Sequence, residues 1–149
     1  MIEDNTNPLD PSDDLQLFEL DIEFDYDKAV IKPQFFASLD KIGLVLSRNS
    51  DHTARIEGHA DRKKRSKAIY NKKLSERRAR AVMNYIADKH AIKRSRMKAV
   101  GYGFERPKAK NGPNGNPINR RVEVYIRKGN SPAAGQTPII APEKKPEDK

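Results

Sequence analysis

The sequence predicts an α/β protein, a two-layer sandwich in which helices pack on a small mixed sheet in the order β-α-β-α-β-β. Residues 17–24 alternate polar and apolar side chains, as a half-buried strand does. Two stretches with helical spacing of apolar residues follow, and a second alternating run, at 121–126, comes last. Strands joined through a helix are expected to be parallel, with right-handed crossovers.

Length and charge indicate one domain with two tails. The chain has 149 residues, enough for a single core. We divide it into an acidic leader at 1–15, expected to be flexible, a domain at 16–128, and a proline-rich tail at 129–149, expected to be disordered. The formal charge of +9 is uneven, because the first 14 residues hold five acids and no base, while residues 15–129 carry +14. Such a field attracts anionic partners.

Composition excludes several function classes. Cys is absent from the sequence, so disulfides, thiolate metal sites and a thiol nucleophile are ruled out. The sequence has neither an apolar run of about 20 residues, which a spanning helix would need, nor a signal-peptide apolar region in residues 1–15. We therefore expect either a cytosolic protein or an exported one whose signal is not in this sequence.

The first helix and the second strand follow the opening strand. Pro33 suits a first helical turn, where its missing N–H costs nothing, and the apolar residues after it recur at helical spacing. Phe35 and Phe36 could form a stacking platform for bases, but their register with Leu39 and Ile42 favours core packing. Residues 53–56 form the second strand.

The second helix is predicted from Asn71 or Ser75 to His90, with a third strand near 97–100, a loop at 108–117 and a final strand from about 121. The apolar stripe of the second helix contains Leu74, Val82 and Ile86, and Arg78 falls on the same stripe. A cation in that position needs an acidic partner or an open pocket.

Residues 58–83 organise the rest of the chain. Asp61 follows the second strand, and Arg78 is expected in or near the first turn of the second helix. In a strand-loop-helix unit these charges can face each other across a cleft with a backbone floor. The pattern predicts a site for a small zwitterion, and a plain Arg78 salt bridge to Asp61 or Asp27 is the structural alternative.

The same residues resemble the GHTD...YN..LS..RA..V series of the OmpA-like domain of OmpA, Pal lipoproteins and MotB-type motor proteins. The resemblance covers about residues 17–128. The matching residues are Gly58-His59-Ala60-Asp61, Tyr70-Asn71, Leu74-Ser75, Arg78-Ala79 and Val82, with Phe24 to Ala29 and Ile31-Lys32-Pro33 upstream, and Gly101-Tyr102-Gly103, Pro107 and Asn119 to Glu123 downstream.

The resemblance implies non-covalent binding of peptidoglycan through the meso-diaminopimelate of its stem peptide. It implies that Asp61 accepts hydrogen bonds from the ligand's ammonium and that Arg78 holds its carboxylate through two parallel N–H groups. It further implies that Asn71 closes the pocket and that the backbone around Ala60 supplies donors, with Ala60 standing where the family has Thr.

The resemblance also implies that the segment with Tyr26 and Asp27 contributes to the pocket, and that the run Asn119-Arg120-Arg121 frames it, although ordinary ion pairing explains that run equally well. It places the protein in the periplasm of a Gram-negative bacterium, associated with the outer membrane. Other envelope or secretion-system proteins are possible partners. A membrane would be reached only through a segment or anchor outside this chain.

The basic loop 62–67 and His59 each have more than one interpretation. The basic loop 62–67 has the composition of a phosphate-binding patch, but a charge run is most often a solvated loop. Loop 62–67 is about two residues longer than the usual loop of the family and has no glycine. His59 has no ligand spacing with His52 or His90, so we interpret it as structural.

Catalytic motifs and cofactor-binding patterns are absent from the sequence, so we expect a binder rather than an enzyme, and no cofactor. The competing hypotheses are an interaction domain of an envelope secretion or motor assembly with a degenerate pocket, and, below it, a basic nucleic-acid-binding module.

Overall fold

The computed structural model describes residues 15–128, with the side chains described from Ile22 onward. The predicted leader and tail lie outside this range, except that Leu15 begins the first strand. The strands are β1 (Leu15–Glu23), β2 (His52–Gly58), β3 (Met97–Gly101) and β4 (Arg121–Lys128), and the helices are α1 (Phe36–Arg48) and α2 (Ala68–His90). This order confirms the predicted fold class. Single 3-10 turns at Pro33–Phe35, Arg94–Arg96 and Pro117–Asn119 complete the described elements.

The four strands form one mixed sheet in the order β1-β4-β2-β3. β2 and β3 are parallel and are joined through α2, whereas β4 runs antiparallel to both β1 and β2. The last strand of the chain therefore lies between the first two. For that reason β1 and β2 are not neighbours, even though α1 joins them.

The core lies between the helices and one face of the sheet. Alternate residues of β2 and β4 point into it, among them Ile56 and Val124, which are fully buried and are partners across the two strands. Burying a side chain of this size contributes roughly 1.5–3 kcal/mol. The helices supply the opposite side of the core with fully buried residues, namely Leu39, Ile42, Leu46, Val82 and Ile86.

The start of the first helix differs slightly from the sequence prediction. Pro33 opens a 3-10 turn, and α1 begins three residues later at Phe36. Phe35 packs against the core, while the half-buried Phe36 stacks on Tyr85 of α2 with 4.9 Å between ring centroids. Both aromatic rings are thus engaged in helix packing, as the spacing predicted, and neither forms a platform for bases.

The second helix begins earlier than predicted. It starts at Ala68, so that Arg78 lies in its third turn, not in or near the first. The side-chain amide of Asn71 donates to the carbonyl of Lys67 at 3.0 Å, and the Asn71 backbone N–H donates to the same carbonyl. The Lys67 carbonyl therefore accepts the first backbone bond of the helix together with one side-chain bond, and no side chain caps the N–H groups of the first turn. The helix ends at His90, and the next residue, Ala91, adopts the left-handed conformation with φ of 55°.

Neither α1 nor α2, nor any shorter helix between residues 15 and 128, combines the length and apolarity that a bilayer-crossing helix needs.

Candidate ligand site at the carboxyl end of β2

The site begins where β2 meets α2. A Cβ built on Gly58 would lie 2.0 Å from the carbonyl oxygen of Ser75, so only glycine lets the strand end approach the helix backbone this closely. The next two N–H groups are both occupied: His59 donates to Arg121 O and Ala60 to Gly103 O, each at 2.8 Å. The backbone N–H of Ala60 is therefore not available to a ligand, contrary to the expectation from the resemblance.

Asp61 follows as a buried carboxylate with an exposed fraction of only 4 %. Its Oδ2 accepts two hydrogen bonds, from the backbone N–H of Asn116 at 3.1 Å and from Nη1 of Arg120 at 3.3 Å. Within the described residues, Oδ1 accepts none. One carboxylate oxygen is thus fixed by the protein, while the other keeps its hydrogen-bonding capacity.

Segment 111–116 closes over this carboxylate. Gly115 has a φ of +82°, and a Cβ built on it would lie 2.2 Å from Asp61 Oδ2. Any side chain there would collide with the carboxylate and would also occupy a backbone region that L-residues disfavour. Gly115 therefore permits the close approach that puts Asn116 N–H within reach of Asp61.

Arg78 is fully buried, with 0 % of its surface exposed. Its guanidinium donates to three backbone carbonyls: Nε to Lys28 O at 2.8 Å, Nη1 to His59 O at 3.0 Å and Nη2 to Asp25 O at 3.1 Å. These carbonyls belong to the loops after β1 and β2. Arg78 therefore ties α2 to two loops at the same end of the sheet.

The environment of Arg78 leaves its charge incompletely compensated. Burial lowers the pKa of Arg78 from 12.5 to about 10, Asp61 opposes that shift through its nearby negative charge, and Arg120 adds to it. Across the described chain, Arg78 forms no ion pair with either Asp61 or Asp27, so the structural alternative, a plain salt bridge, is not formed. The three carbonyl dipoles, not a carboxylate, hold the guanidinium in place.

The predicted open cleft between Asp61 and Arg78 is also wrong for this conformation. Both side chains are at least 96 % buried, and each has protein partners. The reason lies in two loops that the sequence pattern left unplaced: the loop after β1 covers Arg78, and segment 111–116 covers Asp61. The structure nevertheless brings the two charges to one end of the sheet, close enough for each to influence the other.

The remaining predicted site residues divide into two groups. Asn71 is buried, but its amide nitrogen donates to the carbonyl of Lys67 at the start of its own helix. Tyr26 and Asp27 lie on the outer rim and are exposed. Asp27 has a φ of 58° and accepts a hydrogen bond from the hydroxyl of Tyr70. Near Arg78, the loop after β1 presents carbonyls, not the Tyr26 or Asp27 side chains.

Two residues that donate hydrogen bonds to Asp61 were not predicted to do so from the sequence, namely Arg120 and Asn116. The Asn-Arg-Arg run was a signal for Arg120, but nothing in residues 108–117 pointed to Asn116. Asn119 explains why this aperiodic stretch is held in a defined shape: it is fully buried, and its Oδ1 accepts from the N–H groups of Lys108 at 2.7 Å and Ala109 at 3.0 Å. A single buried amide thus organises the loop that covers Asp61.

The basic loop 62–67 is anchored, not merely solvated. The N–H of Lys64 donates to Pro113 O, and the N–H of Arg62 donates to Asn111 Oδ1, both at 3.2 Å. The Lys63 ammonium lies 3.4 Å from the ring centroid of Tyr26. Loop 62–67 therefore packs against segment 111–116 and the rim, and its exposed cations are Arg62, Lys64, Arg65 and Lys67.

A second polar cluster lies on the sheet face away from the helices. Ligand atoms of Glu57, His59 and Glu123 lie within 4.8 Å of one another. Glu57 accepts from Arg55 at 2.9 Å, and Glu123 accepts from Arg121. Burial raises the pKa of Glu57. Because a guanidinium already neutralises each carboxylate, the cluster disfavours a cation, which agrees with a structural role for His59.

A mixed four-stranded sheet covered by two helices is the fold of OmpA-like domains. The chain belongs to the OmpA family, whose family model matches residues 23–121.

Two curated relatives illustrate this membership. Outer membrane porin F of Pseudomonas aeruginosa is 37% identical over 109 residues, which cover 72% of this chain and 31% of the porin. The peptidoglycan-associated lipoprotein of Brucella melitensis is 36% identical over 88 residues, covering 59% of this chain and 51% of the lipoprotein. The chain thus matches about a third and about half, respectively, of these relatives.

A solved structure has the same fold. The peptidoglycan-associated lipoprotein from Burkholderia pseudomallei superposes with a TM-score of 0.66 at 24% identity, covering 73% of this chain and 91% of the lipoprotein.

Proposed function

We propose that this domain binds peptidoglycan non-covalently through the meso-diaminopimelate of its stem peptide and so anchors an envelope protein or complex to the cell wall. The observation that carries the proposal is the charge arrangement at the end of β2. Arg78 is a buried cation that contacts no carboxylate of the described chain, and Asp61 beside it has one oxygen without a hydrogen bond. A zwitterion would supply a partner for each charge.

In this proposal the ligand's ammonium donates to Oδ1 of Asp61, while Asn116 and Arg120 continue to hold Oδ2. The ligand's carboxylate meets the two guanidinium N–H groups of Arg78, one on each terminal nitrogen, that the backbone carbonyls leave unused. Because Arg78 is fully buried, this contact requires the loop after β1 to move away from the guanidinium. Binding therefore includes a local rearrangement at Asp25 to Lys28.

The relatives support the cell-wall partner and the location. Two of the matched proteins are named as peptidoglycan-associated lipoproteins, and another as an outer membrane porin. We infer a periplasmic location in a Gram-negative bacterium, next to the outer membrane, and binding without chemical turnover or a cofactor. The full burial of Arg78 also favours a second candidate, an interaction domain of an envelope assembly in which the pocket stays closed.

Cosedimentation with purified sacculi tests the proposal. We expect the chain to pellet with diaminopimelate-containing sacculi at physiological salt and not with sacculi whose stem peptides carry lysine. Asp61→Asn should weaken binding roughly 30-fold or more, since removing one partner of a desolvated charge pair costs about 2–5 kcal/mol. Asp88→Asn, which changes an exposed carboxylate paired with Arg94, is the matched control.

Equal pelleting of Asp61→Asn and the control, or equal binding to the two types of sacculi, would exclude the diaminopimelate site. No pelleting of the folded chain at all would favour the closed interaction domain.

A further inference from the structure

Exposed apolar side chains concentrate on one rim of the domain. Six large hydrophobic residues are exposed in the described chain, and four of them, Tyr26, Val30, Ile69 and Tyr70, fall in two short segments. Val30 and Ile69 are the most exposed of the six, at 71% and 74%. Single exposed apolar residues are normal, but a contiguous group rimmed by polar residues marks an interaction site.

The two segments form one surface. The hydroxyl of Tyr70 at the start of α2 donates to the carboxylate of Asp27 in the loop after β1. Two helical turns further along α2, Arg78 Nε donates to Lys28 O of the same loop at 2.8 Å. Val30 follows Lys28 by two residues, and Ile69 directly precedes Tyr70. We call the surface formed by residues 26–30 and 69–70 the apolar rim.

Cations surround the apolar rim. Lys67 precedes α2, Lys73 lies one turn beyond Ile69 on the same helical face, and Lys64 and Arg65 project from loop 62–67. All four are exposed, and none forms an ion pair with a carboxylate of residues 15–128. The nearby acids are already engaged: Asp27 with Tyr70, Asp25 with Lys32 at 3.3 Å, and Glu76 with Lys72 at 3.9 Å.

The surface therefore offers apolar contact area edged by uncompensated positive charge. Tyrosine is enriched among the residues that dominate binding at protein interfaces, and a contiguous exposed apolar group supplies area that a partner can bury. The unpaired lysines and Arg65 would repel basic partners and attract acidic ones, raising the rate of encounter. Nucleic acid would use the cations, but it would leave Val30 and Ile69 without apolar partners.

We propose that the apolar rim and its four cations, Lys64, Arg65, Lys67 and Lys73, are a docking surface for an acidic polypeptide segment that carries aliphatic or aromatic side chains. The segment's apolar residues pack on Val30 and Ile69, and its carboxylates pair with the cations. The surface does not include the Asp61 or Arg78 side chain, but residues 26–28 belong to the loop that moves in the ligand binding proposed for Arg78. The peptide is tested on the chain without that ligand, so the outcome does not depend on the proposed function.

The test is a selection of phage-displayed random 12-residue peptides on the immobilised full chain. We expect the enriched peptides to contain more Asp and Glu than the starting library, together with aliphatic or aromatic residues. A synthetic copy of the most enriched peptide should bind Val30→Ser/Ile69→Ser and Lys64→Ser/Arg65→Ser/Lys67→Ser each at least tenfold more weakly than the parent chain.

Leu44→Ser/Ile118→Ser is the matched control, because these two residues are the other exposed large hydrophobics, each at 44%. It should bind the peptide like the parent. Selection of peptides without acidic enrichment, or equal binding by Val30→Ser/Ile69→Ser and the control, would overturn the proposal. A third result would also overturn it: a 20-nucleotide single-stranded DNA binds more tightly than the peptide, and Val30→Ser/Ile69→Ser does not change the DNA affinity. The surface would then recognise polyanions by charge alone.

Discussion

Arg120 at the entrance of β4 donates through Nη1 to Oδ2 of Asp61, 3.3 Å away, and so joins the final strand to the loop that follows β2. The same guanidinium donates through Nε to Phe24 O at 2.9 Å. Three segments distant in sequence therefore meet at the Arg120 guanidinium. Hydrogen bonds from Arg120 and Asn116 fix the position of the buried Asp61 carboxylate before any ligand arrives. The side chain therefore loses little conformational freedom on binding.

Gly115→Ala should damage the site directly. The new Cβ would lie 2.2 Å from Asp61 Oδ2 and would require alanine to adopt a φ of +82°. The left-handed backbone alone costs about 1–2 kcal/mol, and relief of the collision would displace Asp61 or segment 111–116. We expect reduced stability in urea unfolding and weaker sacculus binding.

Gly112→Ala is the control for that variant. A Cβ at Gly112 would meet its nearest atom at 3.9 Å, an ordinary contact, and this glycine belongs to the same loop. We expect its unfolding free energy and sacculus binding to remain near the parent values. Parent-like binding by Gly115→Ala as well would show that segment 111–116 does not position Asp61.

Arg78→Lys should destabilise the fold as well as weaken ligand binding. The resemblance implied that Arg78 is a ligand-binding residue, but Arg78 also donates to three carbonyls from two loops. Lysine cannot reach all three from one nitrogen, and losing a buried hydrogen bond to a charged group costs about 1.5–3 kcal/mol.

Thermal unfolding and sacculus cosedimentation measure the two effects separately. Arg77→Lys, at the exposed neighbouring position, should leave both unchanged. An unaltered melting temperature for Arg78→Lys, combined with lost binding, would contradict the anchoring role of the guanidinium and leave only the ligand role.

The exposed cations of loop 62–67 should act on the rate of wall binding. We expect Lys64→Ser/Arg65→Ser/Lys67→Ser to slow association with sacculi and to flatten its salt dependence, because such charges are screened beyond about 8 Å at physiological salt. Arg62 and Lys63 are left intact because they pack on Phe104 and Tyr26.

Preference for diaminopimelate over lysine peptides should survive in this triple variant, since loop 62–67 contributes no described hydrogen bond or ion pair to the Asp61 carboxylate. Surface plasmon resonance with soluble muropeptides across a salt series measures both the association rate and the selectivity, with Lys41→Ser/Lys93→Ser/Lys98→Ser as a charge-matched control. Loss of selectivity would place the loop inside the ligand pocket.

Asp40 should make stability depend on acid pH. Hydrogen bonds from Lys89 and His90 lower the pKa of Asp40 from 3.8 to about 2. Because the folded-state pKa lies below the unfolded value, the stabilisation is present above about pH 4 and is lost as the pH falls toward 2. Asp40→Asn should therefore destabilise the protein at pH 7, with a difference that shrinks across this window.

Urea unfolding of Asp40→Asn and the parent chain at a series of pH values measures that difference. The control is Asp88→Asn, which changes an exposed carboxylate on α2 next to Lys89 and His90. A difference between Asp40→Asn and the parent that stays constant from pH 5 to pH 2.5 would show that the contacts from Lys89 and His90 do not favour the ionised carboxylate.

Local pattern was enough for the order of elements. Period-two alternation marked β1 and β4, and helical spacing marked the core residues of both helices, because these periods follow directly from backbone geometry. Spacing around Asp61 and Arg78 also indicated that these two charges lie at one end of the sheet. The start of α2 was harder to predict, since no side chain caps it and its first backbone bond is accepted by a carbonyl that any residue could provide.

The sequence alone determined which charges this domain carries and on which elements they lie; tertiary structure decided what those charges contact. The insertion of β4 between β1 and β2 brings Arg120 to Asp61, and the fold of segment 111–116 brings Asn116 N–H to the same oxygen. The loop after β1 turns its carbonyls toward Arg78. Such contacts join residues 50 or more positions apart, and the packing of loops, which has no sequence period, sets them.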